Sequence, residues 1–135
     1  MDRVHTIDDI HDGRPLSGVA DFEGHPHFYQ CQFDEQLDDW SDQYVLKKID
    51  PALLAIALER QEIFLRWRKA FDDGKTPIDR HPSLESDRPR YDELKKIIES
   101  QTAGLPETAR AVGKFDAISR DTFTSAARWM PVDPQ

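Results

Sequence analysis

Two histidines that flank a proline, His25 and His27, are the residues of this sequence best suited to metal chemistry. On a β-strand, side chains two residues apart project from the same face, so both imidazoles could bind one metal ion. Asp34, His81 or Glu23 could complete the ligand set, and the site would then serve a small metal-dependent enzyme. However, no third ligand lies at a diagnostic spacing, and the intervening proline disfavours a regular central strand. A metal site at His25 and His27 is therefore the alternative hypothesis for this segment.

A run of acidic residues follows the histidines and includes a tryptophan. Five carboxylates lie within residues 34–42, with no basic residue among them: Asp34, Glu35, Asp38, Asp39 and Asp42, interleaved with Leu37 and Trp40. The spacing does not match a calcium loop, which needs a central glycine and a glutamate at its twelfth position. An aromatic side chain ringed by charges is typical of an interface anchor, so these five acids and Trp40 are predicted to bind a partner. The simpler interpretation is a solvated acidic turn with Trp40 tucked inward.

The sequence lacks the motifs of nucleotide and hydrolase chemistry. It contains no glycine-rich phosphate loop and no Gly-x-Ser-x-Gly elbow. Cys31 lies between Tyr29 and Phe33 on one face of the predicted strand, which indicates core packing of all three rather than a reactive thiol. These features favour a non-enzymatic binding protein that needs no cofactor, such as an immunity or inhibitor protein or an accessory subunit.

Composition and charge narrow the class of partner. The chain has 135 residues, the size of one domain, and 18 basic against 26 acidic residues give a net charge of −8. Such a surface repels nucleic acid and anionic lipid, so the expected partner is another protein, and a basic one would suit it. No apolar run is long enough for a transmembrane helix. The single cysteine, and an acidic N-terminus unlike a signal peptide, favour a cytoplasmic protein.

The first third of the chain alternates between apolar and polar residues and is divided by glycines and prolines. This alternating pattern predicts strands over residues 4–10, 16–22, 26–33 and 43–49. The second and third would form a hairpin, because a short segment that contains Gly24 joins them. A small antiparallel meander is the result.

A long helix is predicted over residues 50–73. Asp50 can accept hydrogen bonds from the free N–H groups of the first turn, and Pro51 suits the first helical position. Apolar residues spaced by three and four form a wide stripe that should face the sheet. A second, weaker stripe of Leu54, Leu58 and Leu65 would suit another layer of the fold or a homodimer.

Arg60 interrupts the main apolar stripe of this helix. A buried guanidinium would need a carboxylate or carbonyl partner. The expected arrangement is instead an arginine at the edge of the stripe, with its aliphatic stem buried and its head in water.

The remaining third predicts a loop, a helix and two strands. Residues 75–89 contain three prolines and form a loop long enough to be functional, and its part over 75–88 is expected to assist the acidic segment. A second helix is predicted over 89–102, and strands over 109–118 and 123–132. Residues 1–135 are therefore predicted to form a single α+β domain. Its small antiparallel sheet packs against one long helix, with a second shorter helix and a C-terminal strand pair.

The segment 22–50 (FEGHPHFYQCQFDEQLDDWSDQYVLKKID), the helix that contains Trp67 and the ending RWMPV resemble a group of uncharacterised bacterial proteins. These share a Gly-x-Pro-His-aromatic strand, an acidic turn and a tryptophan-containing helix. The resemblance implies a fold and a bacterial origin. It implies no activity, and it assigns no role to any residue.

Overall fold

In a computed structural model that describes residues 1–76 and 82–132, six antiparallel strands close into a barrel, against which two helices pack. The strands are β1 (Asp2–His11), β2 (Arg14–Phe22), β3 (His25–Asp34), β4 (Asp39–Lys48), β5 (Ala109–Phe115) and β6 (Ser125–Pro131). Between β4 and β5 the chain forms α1 (Pro51–Asp72), a short 3-10 turn (Glu85–Asp87) and α2 (Arg88–Ala103). None of the helices described here is long and apolar enough to cross a membrane.

The antiparallel strands and both helices were predicted, but the sheet is closed rather than open. Strand β1 pairs with β2 on one side and with β6 on the other, where Asp2 lies opposite Ala127 and Val4 opposite Ser125. The C-terminal strands are therefore not a separate pair, because β5 also pairs with β4. Each strand therefore has a hydrogen-bonded neighbour on both sides over at least part of its length.

Aromatic rings fill the barrel. Tyr29, Tyr44, Phe115 and Trp129 contact one another, with ring centroids 5.3–6.1 Å apart. The two tyrosine hydroxyls are buried, and each donates a hydrogen bond to a backbone carbonyl of β1 or β2. Gly113 gives these rings room, since a Cβ atom there would lie 2.9 Å from Tyr44 and Trp129. The interior is therefore a packed core, and candidate sites must be sought on the outside or at the barrel ends.

Helix α1 begins as predicted and packs against β1 and β2. The side chain of Asp50 accepts a hydrogen bond from the N–H of Leu53, and Pro51 occupies the first turn. Leu53 and Ala57 form a cluster with Val19 of β2, Ile49 and Ile98 of α2. A second cluster, around Ile63, Tyr91 and Leu94, joins the two helices. Beside these clusters α1 also reaches β1, where Arg60 pairs with Asp8.

Candidate functional site

The acidic segment lies at the end of the barrel where β3 turns into β4. We call residues 33–42 the acidic turn. One oxygen of Asp34 accepts hydrogen bonds from the backbone N–H groups of Gln36 and Leu37, at 2.9 and 3.3 Å. Asp38 adopts a left-handed conformation with φ of 50°, and the next carboxylate, Asp39, accepts from the N–H of Trp40. The acids thus form the turn themselves and fix its shape.

Three large apolar side chains belong to the acidic turn. Leu37 is 72% exposed and Phe33 is 47% exposed, while Trp40 is half-buried. The rings of Phe33 and Trp40 meet edge to face, with centroids 5.2 Å apart. The prediction that Phe33 belongs to the core is therefore wrong. The register of β3 and β4 shifts between Cys31 and Phe33. Beyond that shift Trp40 still packs against the barrel core, whereas Phe33 lies on the exposed side of its ring.

The carboxylates of the acidic turn are largely without cationic partners. In the described part of the chain, no basic side chain forms an ion pair with Glu35, Asp38 or Asp42, and the imidazole of His11 lies 3.9 Å from Asp39. Arg14 is close, but its guanidinium donates to the backbone carbonyls of Trp40 and Ser41. The turn therefore combines five carboxylates with exposed apolar side chains, and the guanidinium of Arg14 is the cation held against its backbone.

The two histidines occupy the opposite end of β3. His27 is buried, with Nδ1 2.8 Å from the carbonyl oxygen of His25 and its ring edge-on to Phe22, whereas His25 is exposed. Across residues 1–76 and 82–132, no three His, Cys, Asp or Glu side chains are grouped so as to hold a metal ion. His81, one predicted additional ligand, lies outside the described residues, as does the rest of 77–81 within the predicted 75–88 loop.

Cys31 is buried, as predicted. Its thiol lies 3.1 Å from the carbonyl oxygen of Ser41, to which it donates, and burial raises the pKa of this thiol. A raised pKa keeps the thiol protonated at neutral pH, so it is a poor nucleophile.

A second candidate site lies between the helices and the outer face of β1, where Arg60 meets Asp8. The guanidinium donates from Nη1 to Asp8 Oδ1 at 2.7 Å, and the two side chains are only 14% and 22% exposed. The prediction that Arg60 holds its head in water is therefore wrong. The guanidinium carbon also lies 4.9 Å from the centre of the Tyr91 ring, which forms a cation–π contact. We call this region the Asp8–Arg60 cleft.

Gln61, the next residue of α1, holds this cleft in place. Its Oε1 accepts a hydrogen bond from the N–H of Ile7 at 2.8 Å, and its Nε2 lies 3.0–3.2 Å from three backbone carbonyls, those of His5, Thr122 and Phe123. One buried amide therefore ties α1 to β1 and to the segment between β5 and β6. Arg60 is consequently fixed relative to Asp8.

The carboxyl group of Asp8 has a raised pKa, so it holds its proton to a higher pH than an ordinary aspartate does. Its pKa is raised from 3.8 to about 6: burial raises it most, the nearby Arg60 guanidinium lowers it, and the negative charge of Asp9 raises it. Desolvation therefore outweighs the ion pair. A titratable group with a perturbed pKa in a cleft marks a candidate functional site.

The sequence pointed to this cleft only through Arg60. Asp8 lies on a strand 52 residues away, and Tyr91 lies on the other helix. The position of Arg60 within an apolar stripe was the only indication of this cleft in the sequence, and it did not identify Asp8 as the partner.

Comparisons of the chain with protein families, curated proteins and solved structures find no match.

Proposed function

We propose that this protein is a non-enzymatic binding protein that engages a basic protein partner through the acidic turn, as an immunity, inhibitor or accessory protein would. The observation that carries the proposal is Leu37, a 72% exposed leucine surrounded by carboxylates. A large apolar side chain exposed beside Phe33 and Trp40 gains free energy by burial against a partner. The acids around it favour a partner surface of positive charge.

The shape of the turn supports this proposal. Hydrogen bonds from backbone N–H groups to Asp34 and Asp39 hold the loop in one conformation before any partner arrives. The hydroxyl of Ser41 adds a bond of 2.7 Å to the carbonyl of Gln32 on the neighbouring strand. A preorganised loop loses little conformational entropy on binding, so more of the contact energy appears as affinity.

Neutralising three acids of the turn should weaken binding to a basic partner by about tenfold, because each lost charge removes a modest attraction at the rim of the interface. The variant is D38N/D39N/D42N, in which the amide at position 39 can still accept the hydrogen bond from Trp40. The immobilised protein would capture its partner from the native host, and the dissociation constant of the purified pair would then be measured at low and high salt.

A matched control removes three exposed acids elsewhere on the surface: E23Q/E62Q/E85Q changes the net charge by the same three units. We expect this control to bind nearly as well as the wild type. We also expect Leu37→Ser to weaken binding with little change in salt dependence, because its contribution is apolar. Equal weakening by the turn variant and by the distant control would show that net charge, and not the acidic turn, governs binding.

A further inference from the structure

An apolar cavity of about 280 Å³ lies on one side of the Asp8–Arg60 pair. Its apolar lining comes from β1, both helices and neighbouring segments: Ile7, Ile10, Phe64, Pro82, Tyr91 and Phe123. The polar groups on its wall include the side chains of Asp8, Asp9 and Arg60. A concave apolar pocket with a few polar groups at one point is the common form of a small-molecule site.

The Asp8–Arg60 pair leaves hydrogen-bonding capacity unused. Of the five N–H donors of the guanidinium, Nη1 alone donates to a described residue, and Nε is buried with no partner. Among the described residues, Oδ1 of Asp8 accepts this bond and Oδ2 accepts none. Because Nε is buried, the donors of Arg60 that a ligand could reach are its remaining Nη N–H groups. Asp8 and Arg60 both line the apolar cavity, so the pair offers it these donors beside Oδ2 of Asp8 as an acceptor.

The chemistry of a complementary ligand follows from this arrangement. A carboxylate would be attracted to Arg60 but repelled by Asp8 and Asp9, and it has no N–H to donate to Asp8. An ammonium group would be attracted to the two carboxylates but repelled by Arg60, and it has no acceptor for the N–H groups of Arg60. A neutral amide avoids both penalties, since its N–H can donate to Asp8 while its carbonyl accepts from Arg60. We infer that this cavity binds a neutral planar amide, either a carboxamide or a lactam ring, that is attached to an apolar or aromatic body.

This site is independent of the proposed protein-binding function. Its residues come from β1, both helices and the segments around residues 82 and 123, and none of them belongs to the acidic turn. Loss of partner binding and loss of small-molecule binding can therefore be measured in separate variants.

Three probes of nearly equal size distinguish the ligand classes: benzamide, benzoate and benzylamine. Each would be titrated to millimolar concentration into the ¹⁵N-labelled full chain at pH 7, and the amide shifts mapped. We expect benzamide to bind about tenfold more tightly than either ion, with shifts centred on residues 7–10, 60 and 91. Tighter binding of benzoate or benzylamine, or shifts centred elsewhere, would overturn the inference.

Two variants test the assigned residues. Arg60→Gln removes the donor and should weaken benzamide binding about tenfold. Because this change also breaks the pair with Asp8, Ile10→Trp serves as a second variant: Ile10 is 42% exposed, so a larger ring there can fill the cavity without disturbing the core. We expect I10W to abolish benzamide binding while circular dichroism stays native. The variant D38N/D39N/D42N should bind benzamide normally, and undiminished binding by a folded I10W would refute the site.

Discussion

Replacing Gln61 with leucine should lower the free energy of unfolding by about 3 kcal/mol, because a buried donor and three partly buried acceptors would lose their partner. Leucine has a similar volume, so no large cavity forms and the loss reports the hydrogen bonds. The N–H of Ile7 would be left buried without an acceptor, which alone costs about 1–3 kcal/mol. Chemical denaturation followed by tryptophan fluorescence would measure the change.

The matched control for this substitution is Gln101→Leu on the exposed face of α2. It makes the same chemical change where water can satisfy the backbone, so its effect should stay within about 0.5 kcal/mol. Gln61→Leu should also raise amide exchange between β5 and β6 at residues 122–124, since two of the lost bonds reach that segment. Equal stability losses in the two variants would mean that the Gln61 contacts contribute nothing specific.

Local chemistry explains which elements the sequence could predict. The start of α1 was predicted because Asp50 and Pro51 act on their own first turn, whatever the rest of the chain does. Both helices and the order of strands follow from similar short-range patterns. The acidic turn could also be located, since Asp34 bonds to backbone groups only two and three residues away.

Contacts between distant parts of the chain could not be predicted in the same way. Closure of the barrel depends on β1 pairing with β6 across more than a hundred residues, and alternation shows which side chains share a face but not which strands are neighbours. The exposure of Phe33 depends on where the barrel interior ends. The burial of Arg60 depends on Asp8, and no periodicity in α1 encodes the presence of a carboxylate on β1.

The contribution of Asp8 to the free energy of unfolding should fall as the pH rises. An ordinary ion-paired carboxylate, whose pKa is lowered by folding, behaves in the opposite way. The folded state holds the Asp8 proton up to a pKa of about 6, whereas the ordinary value is 3.8. Between these pH values the folded chain binds more protons than the unfolded chain, so this group's contribution is fully present below pH 4 and is lost as the pH rises through 6. The loss should amount to about 2 kcal/mol between pH 4 and pH 7.

Comparison with Asp8→Asn isolates this contribution, because the other titrating groups are common to both proteins and cancel in the difference. The free energy of unfolding of the wild type, minus that of the variant, should fall from pH 4 to pH 7, with its midpoint near pH 5. In Arg60→Met the fall should extend to higher pH, since removing the guanidinium takes away the one influence that lowers the pKa of Asp8. A difference that stays flat, or that grows as the pH rises, would show that the ion pair with Arg60 outweighs desolvation in the Asp8–Arg60 cleft.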